Sequence, residues 1–311
     1  MNIHLENVSL QSTSGPNHFA TKLIKQFEEL DISIDYSLNP DVRLCFIETH
    51  KDFTDDVPLF QRLDGIYFNT AQNYKQQNLN IKKTYDASDG VIFQSRFNKE
   101  LITKYFGEHK NSIIIHNGAD LNYIDQYSAL ENKLLDKFDN VWCCASSWRP
   151  HKRLNENIRY FLEHSNEKDC LVIAGDSEAP VFRNERVLYV GKATIPQLVS
   201  LYKRSKYFIH LAWLDHCPNV VVDARASGCQ IVCSSTGGTK EVAGTDAIIV
   251  TEEEWNFQPV KLYEPPELDF SKKILKNEHA TEYNINMQEV AKKYIDFMQI
   301  EEQKVEKNAL L

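Results

Sequence analysis

Short apolar runs alternate with amphipathic segments along most of the chain. Val91–Gln94, Ser112–His116, Val141–Ala145, Cys170–Ala174, Val187–Val190 and Ile231–Cys233 read as strands, and the almost unbroken apolar run Tyr207–Leu214 reads as a strand buried on both faces. Phe19, Leu23, Phe27 and Leu30 recur at helical spacing, as do Phe97, Leu101 and Tyr105, and later Leu198, Leu201 and Tyr202. Residues 3–10, 33–38, 43–48 and 66–68 are further strand-like stretches. Ser95 stands where an N-cap belongs, and Gly107 and Gly228 stand behind helices as stops. Strands separated by helices predict an α/β fold with a mostly parallel sheet. A polar stretch over 122–140 lacks a strong apolar face and separates two such series, so domains are expected at 1–124 and 125–311. A last amphipathic helix is expected over about residues 283–300.

The stretch from Tyr207 to Gly244 is the most structured part of this pattern. An apolar run from Tyr207 to Leu214 leads into Asp215, His216, Cys217, Pro218 and Asn219, and a helix follows over Val220–Ala226. Ile231–Cys233 then leads into Ser234-Ser235-Thr236-Gly237-Gly238-Thr239 and another helical start at Glu241. Two polar loops thus follow strands, where open α/β sheets place their ligands.

Composition narrows the classes. The 311 residues are long enough for two domains, and the net charge of −9 carries no basic face for nucleic acid or an acidic lipid surface. Glycine occurs only 11 times, so the Gly237-Gly238 pair carries more weight than usual. The seven cysteines fall at 45, 143, 144, 170, 217, 229 and 233 without a C-x-x-C pair, which argues against zinc and for reduced thiols in the cytoplasm. No signal peptide and no apolar run near ~18 residues is expected.

Several residues could carry chemistry. Arg149, Lys152 and Arg153 form the densest basic cluster and would suit a diphosphate, or be a solvated basic turn. Gly237-Gly238 at a helix start would offer N–H groups to the same anion. Asp215 would sit at a strand tip and Asp223 about one turn into the next helix, where it could take the hydroxyls of a ribose; alternatively Asp215 caps the helix and Asp223 faces solvent. His50 follows a strand and could reach a substrate, though a lone surface-loop histidine is the more common case. Gly15 lies in the first loop, as a turn residue or a substrate-loop residue, and no G-x-G-x-x-G fingerprint for a dinucleotide accompanies it.

Taken in order, these motifs resemble retaining glycosyltransferases of family 4, with the GT-B fold. The likeness rests on Arg149 and Lys152, on Val190-Gly191-Lys192, on Asp215 with Asp223 eight positions later, and on Gly237-Gly238-Thr239-Lys240-Glu241. Arg62-Leu63-Asp64-Gly65, Ser95 and Asn117-Gly118-Ala119-Asp120 extend it into the first half. The family usually has Glu at both acidic positions, where this chain has Asp. The resemblance implies two Rossmann-like domains facing across a cleft, an acceptor side in the first and a donor side in the second, with the final helix crossing back. It implies a metal-independent transferase in glycan biosynthesis that needs no cofactor. Its donor would be a UDP- or GDP-linked sugar and its acceptor a glycan or a lipid-linked hydroxyl. Arg149 and Lys152 would neutralise the diphosphate, Asp223 would hold the ribose, and Asp215 would sit beside the sugar. Cys217, Pro218, Asn219 and Val220 would form the sugar loop, with Lys192 and Gly15 near the donor and His50 facing its sugar. The absence of a D-x-D motif agrees with that chemistry. The alternatives are a nucleotide-sugar-binding protein with little turnover and, less favoured without the fingerprint, an NAD-dependent dehydrogenase.

Overall fold

A computed structural model describes residues 1–12, 14–34, 40–53, 55–176, 182–271, 275–277 and 285–309. The chain divides into two compact units: unit 1 holds Met1–Gly118, Phe257–Pro259 and Asn284–Leu311, and unit 2 holds Ala119–Asn256 and Val260–Tyr283.

Unit 1 is built on a parallel sheet of β1 (Asn2–Glu6), β2 (Ser33–Ile34), β3 (Val42–Phe46), β4 (Leu59–Leu63), β5 (Gly90–Phe93) and β6 (Ser112–Ile114), in the order β2-β1-β3-β4-β5-β6. Helices α1 (Gly15–Glu29), α2 (Tyr74–Ala87) and α3 (Arg96–Phe106) connect the strands, and α9 (Met287–Ala309) packs on the same unit. The periodic face of α1 buries Phe19, Leu23 and Phe27 against Ile3, Leu44 and Phe46, while α9 adds Met287, Val290, Tyr294 and Met298 to that core. Fully burying each such side chain stabilises by about 1.5–3 kcal/mol. Ser95 caps α3, its hydroxyl accepting the Asn98 N–H at 3.0 Å.

The strand expected at 66–68 is an irregular segment, and the strand of this region is β4 instead. Its sequence, LFQRL, hides its burial behind two polar residues. Gln61 donates to the Ile47 and Ile81 carbonyls at 2.6 and 3.1 Å. The fully buried Arg62 pairs with Asp64, donates to Tyr294 Oη at 3.0 Å and Asn117 Oδ1 at 2.8 Å, and lies 4.0 Å over the Phe19 ring. Local partners thus replace the water that these groups lose. The first strand stops at Glu6 rather than running to residue 10, and the expected 33–38 strand is described only as Ser33–Ile34, since 35–39 lie outside the described residues.

Unit 2 has strands β7 (Asn140–Ala145), β8 (Asp169–Ala174), β9 (Val187–Gly191), β10 (Tyr207–His210), β11 (Gln230–Ser234), β12 (Ile248–Val250) and β13 (Leu275–Lys276). They lie in the order β13-β12-β11-β10-β7-β8-β9, parallel except for β13. Its helices are α4 (Leu121–Asp125), α5 (Leu154–His164), α6 (Ile195–Arg204), α7 (Asn219–Ala226) and α8 (Thr239–Val242). A capping box between Thr194 and Gln197 starts α6 and directs Val199, Leu201 and Tyr202 inward. All seven cysteines are buried thiols, and burial pushes Cys170 up to about 11 and Cys233 up to about 12. No helix among the described residues is long and apolar enough to cross a membrane.

Candidate active site

In unit 2 the strand order reverses between β7 and β10. From β7 the chain proceeds outward to β8 and β9, and from β10 it proceeds the other way to β11 and β12. Loops leaving the C-terminal ends of two such neighbours part to opposite faces and open a crevice between them. The basic cluster follows β7 and Asp215 follows β10, so the topology brings the two together.

The loop after β7 ends in a tight turn over Pro150–Lys152, and Arg153 then takes a left-handed conformation with φ of 54°. A non-glycine residue is held there by its side chain. Arg153 is fully buried, donating to the Glu252 carboxylate at 2.8 and 3.2 Å and to the Pro266 and Leu211 carbonyls at 2.7 and 3.4 Å. Arg153 is therefore an internal anchor and not, as its place in the basic cluster suggested, a charge for a ligand. Asn157 ties the loop to its neighbour, accepting the Leu211 N–H at 3.0 Å and donating to the Lys152 carbonyl at 3.2 Å. The Trp213 N–H donates to the His151 carbonyl at 2.7 Å.

Between these fixed points Lys152 Nζ reaches Asp215 Oδ2 at 2.5 Å. The same oxygen lies 2.8 Å from His210 Nε2, and Oδ1 accepts the His216 N–H at 3.0 Å. Asp215 does not cap α7, whose N-cap is Pro218. The Asp215 backbone is set by Leu214, with φ of 58°, and by Gly238, whose N–H donates to the Asp215 carbonyl at 2.8 Å. Burial works against the Asp215 charge, but Lys152 and His210 outweigh it and hold the carboxyl well below the usual carboxylate range. The neighbouring imidazoles go the other way. Burial lowers His151 to about 3, with Lys152 adding to the effect, and lowers His216 to about 4, so both are neutral at physiological pH.

The other expected donor-side residues surround this pair in sequence. Arg149 and Lys192 are exposed, and neither side chain has a hydrogen bond or ion pair among the described residues. Cys217 and Pro218 are buried, Asn219 and Val220 begin α7 half-buried, and Asp223 lies half-buried one turn on. Thr236 Oγ1 donates to Glu252 at 2.5 Å, so the Gly237-Gly238 loop hangs from the carboxylate that holds Arg153.

Gly15 and His50 belong to unit 1, where they flank that sheet's own reversal between β1 and β3. Gly15 is exposed at the first position of α1. His50 is exposed between Thr49 and Lys51, both of which donate to Glu6 at the end of β1, at 3.2 and 2.7 Å. Burial opposes the Glu6 charge, but Lys51 and His4 prevail and keep its carboxyl below the ordinary range. Sequence reasoning passed over Glu6, His210, Asn157 and Glu252. His210 had one visible signal, as the only histidine inside the apolar Tyr207–Leu214 run.

Residues 139–258 match the family described as glycosyl transferases group 1. This part of the chain is therefore similar to a group 1 glycosyltransferase domain. The domain contains Arg149, Lys152, Lys192, Asp215, the Cys217–Val220 segment and Asp223. The fold of the whole chain is that of GT-B structures. HepE from Anabaena, solved with UDP and glucose, is 15% identical with a TM-score of 0.59 over 100% of both chains. Sucrose-phosphate synthase from Thermosynechococcus elongatus is 10% identical with a TM-score of 0.62 over 99% of both. A UDP-forming trehalose-phosphate synthase from Burkholderia xenovorans is 13% identical with a TM-score of 0.57, over 91% of this chain and 77% of that one. No curated protein matches the sequence. Among the described residues no group of three or more His, Cys, Asp and Glu side chains could hold a metal ion.

Proposed function

We propose that the protein is a retaining glycosyltransferase whose donor is a nucleoside-diphosphate sugar, UDP-linked as the first choice, and whose acceptor is a hydroxyl of a glycan or lipid-linked sugar. The observation that carries this reading is the meeting of Lys152 and Asp215 at the strand reversal inside the matched domain. The UDP found in HepE favours the uridine base. In the transfer, the bond from the sugar's anomeric carbon to the diphosphate breaks and its electron pair passes to the phosphate oxygen. The acceptor hydroxyl forms the new bond to the anomeric carbon and passes its proton to the oxygen of the departing diphosphate. Lys152 and Arg149 supply positive charge to the departing diphosphate, the role a divalent ion fills elsewhere. Asp223 holds the ribose hydroxyls, and the start of α7 with the Gly237-Gly238 loop offers N–H groups to donor oxygens. Acceptor recognition falls to the strand reversal of unit 1, around Gly15 and His50.

Thermal-shift measurements with UDP, GDP and ADP test the donor class, since a ligand that binds only the folded state raises its melting temperature. Lys152→Ala should weaken nucleoside-diphosphate binding by about ten- to hundredfold, the worth of a charge-assisted hydrogen bond. An unchanged affinity would remove Lys152 from the donor site. A second reading, a nucleotide-sugar-binding protein with little turnover, draws on the Lys152–Asp215 pair, in which each charge already satisfies the other. Release of free sugar from the bound donor, followed over hours, separates the two: steady release supports the transferase and none supports the binder.

A further inference from the structure

His210 occupies the last position of β10 with only 4% of its side chain exposed. Its ring stacks at 16° on Phe208, with centroids 6.3 Å apart. Its Nε2 stands 2.8 Å from Asp215 Oδ2, the oxygen that also takes Lys152. Since Asp215 is ionised and accepts only, Nε2 carries the hydrogen and His210 donates. Burial pushes the imidazole toward its neutral form against the pull of Asp215. A neutral N–H stabilises the carboxylate without competing with Lys152 as a second cation.

This arrangement matters once a diphosphate arrives, so a role for His210 in binding rests on the proposed donor class. Lys152 cannot hold Asp215 at 2.5 Å and also turn its charge fully to a phosphate. The Asp215 side chain is 14% exposed, and a carboxylate so buried is costly to leave without its cation. Two donors remain when Lys152 turns away: the His216 N–H on Oδ1 and His210 on Oδ2. The backbone donor is present whatever the side chains are. We propose that His210 is a positioning residue that takes over Asp215 when Lys152 is drawn to the donor diphosphate, and so sets how readily Lys152 can engage it. The shorter Asp, where the family has Glu, keeps its carboxylate within reach of both.

The test compares UDP with UMP by titration calorimetry on the full chain, with GDP and GMP as a second pair, because the monophosphate lacks the phosphate that draws Lys152. His210→Phe, which keeps a planar ring without an N–H, should weaken the diphosphate by about tenfold or more while the monophosphate changes little. His210→Gln, which retains a donor, should restore most of the diphosphate-to-monophosphate ratio. If His210→Phe does not fold, His210→Met lacks the donor as well and replaces it. A variant without the donor that keeps the wild-type ratio overturns the proposal, as does one that weakens both nucleotides equally, the mark of a purely structural role. Failure of His210→Gln to recover the ratio overturns it too. Wild-type protein that binds neither diphosphate sinks the donor reading itself, an outcome visible before any variant is made.

Discussion

Gly237→Ala is the sharpest test of how the candidate site is built. Gly237 has φ of 80°, and a Cβ placed there would lie 2.6 Å from the Asp215 carbonyl oxygen and 2.9 Å from the Asp215 nitrogen. Comfortable contacts between such atoms fall near ~3.5 Å, so the clash is close to an ångström deep. Both atoms are backbone, and the oxygen is also held by the Gly238 N–H, so neither can swing away as a side-chain tip would. Left-handed strain costs roughly 1–2 kcal/mol and overpacking roughly 1–3 kcal/mol, together about 2–5 kcal/mol. Gly228 supplies the control. Its φ is 100°, but nothing lies within 4 Å of its added Cβ, so Gly228→Ala carries the strain alone. All four tryptophans, at 142, 148, 213 and 255, belong to unit 2, so tryptophan fluorescence in urea reads that unit without reference to the other. Gly237→Ala should lower the unfolding midpoint clearly more than Gly228→Ala and also weaken UDP binding, because it displaces the loop whose N–H groups the proposed donor site uses. Equal midpoints for the two variants would refute the close approach of the two loops.

Other expectations come from the same interactions. Arg153→Ala strands the Glu252 carboxylate in the interior and should cost about 3–5 kcal/mol in the same urea assay, whereas a surface arginine would cost almost nothing. Acid should weaken unit 2. His151 and His216 stay neutral in the folded protein down to about 3 and about 4, while in the unfolded chain they take up protons below 6.5. Stability should therefore be level above pH 7 and fall between pH 6.5 and 4 by up to ~1.4 kcal/mol per pH unit for each histidine. The lowered carboxyl of Asp215 adds a loss of the same sign at still lower pH. A flat profile of urea midpoints from pH 7 to 5 would contradict the burial of these rings. Asp223→Ala should weaken UDP binding but leave 2′,3′-dideoxy-UDP unaffected, and equal losses for both would remove Asp223 from the ribose.

Elements with a clean apolar signal were legible in the sequence. β5, β7, β8 and α3 fall where periodicity and caps put them, because apolar residues make up most of their buried faces. β4 was not legible, since Gln61 and Arg62 are buried on partners supplied by residues 47, 81, 117 and 294. The Tyr207–Leu214 run was read as one strand. Pairing ends at His210, and Leu211–Leu214 are buried in a turn that closes at the positive φ of Leu214. The convergence of Lys152 with Asp215 followed from counting strands and loops. The separate fates of Lys152 and Arg153 did not, because a left-handed residue and a partner 99 positions away leave no local trace.

The buried thiols give the molecule two internal clocks. Cys45 reports on unit 1, and the other six cysteines report on unit 2. Only a thiolate reacts with a disulfide reagent; burial shields all seven sulfurs and raises the thiols of Cys45, Cys170 and Cys233, which keeps those protonated. Modification therefore has to wait for the chain around each sulfur to open, so its rate measures how often each unit breathes. A ligand bound at the β7–β10 reversal should slow the reaction of the six and leave the pace of Cys45 to unit 1 alone.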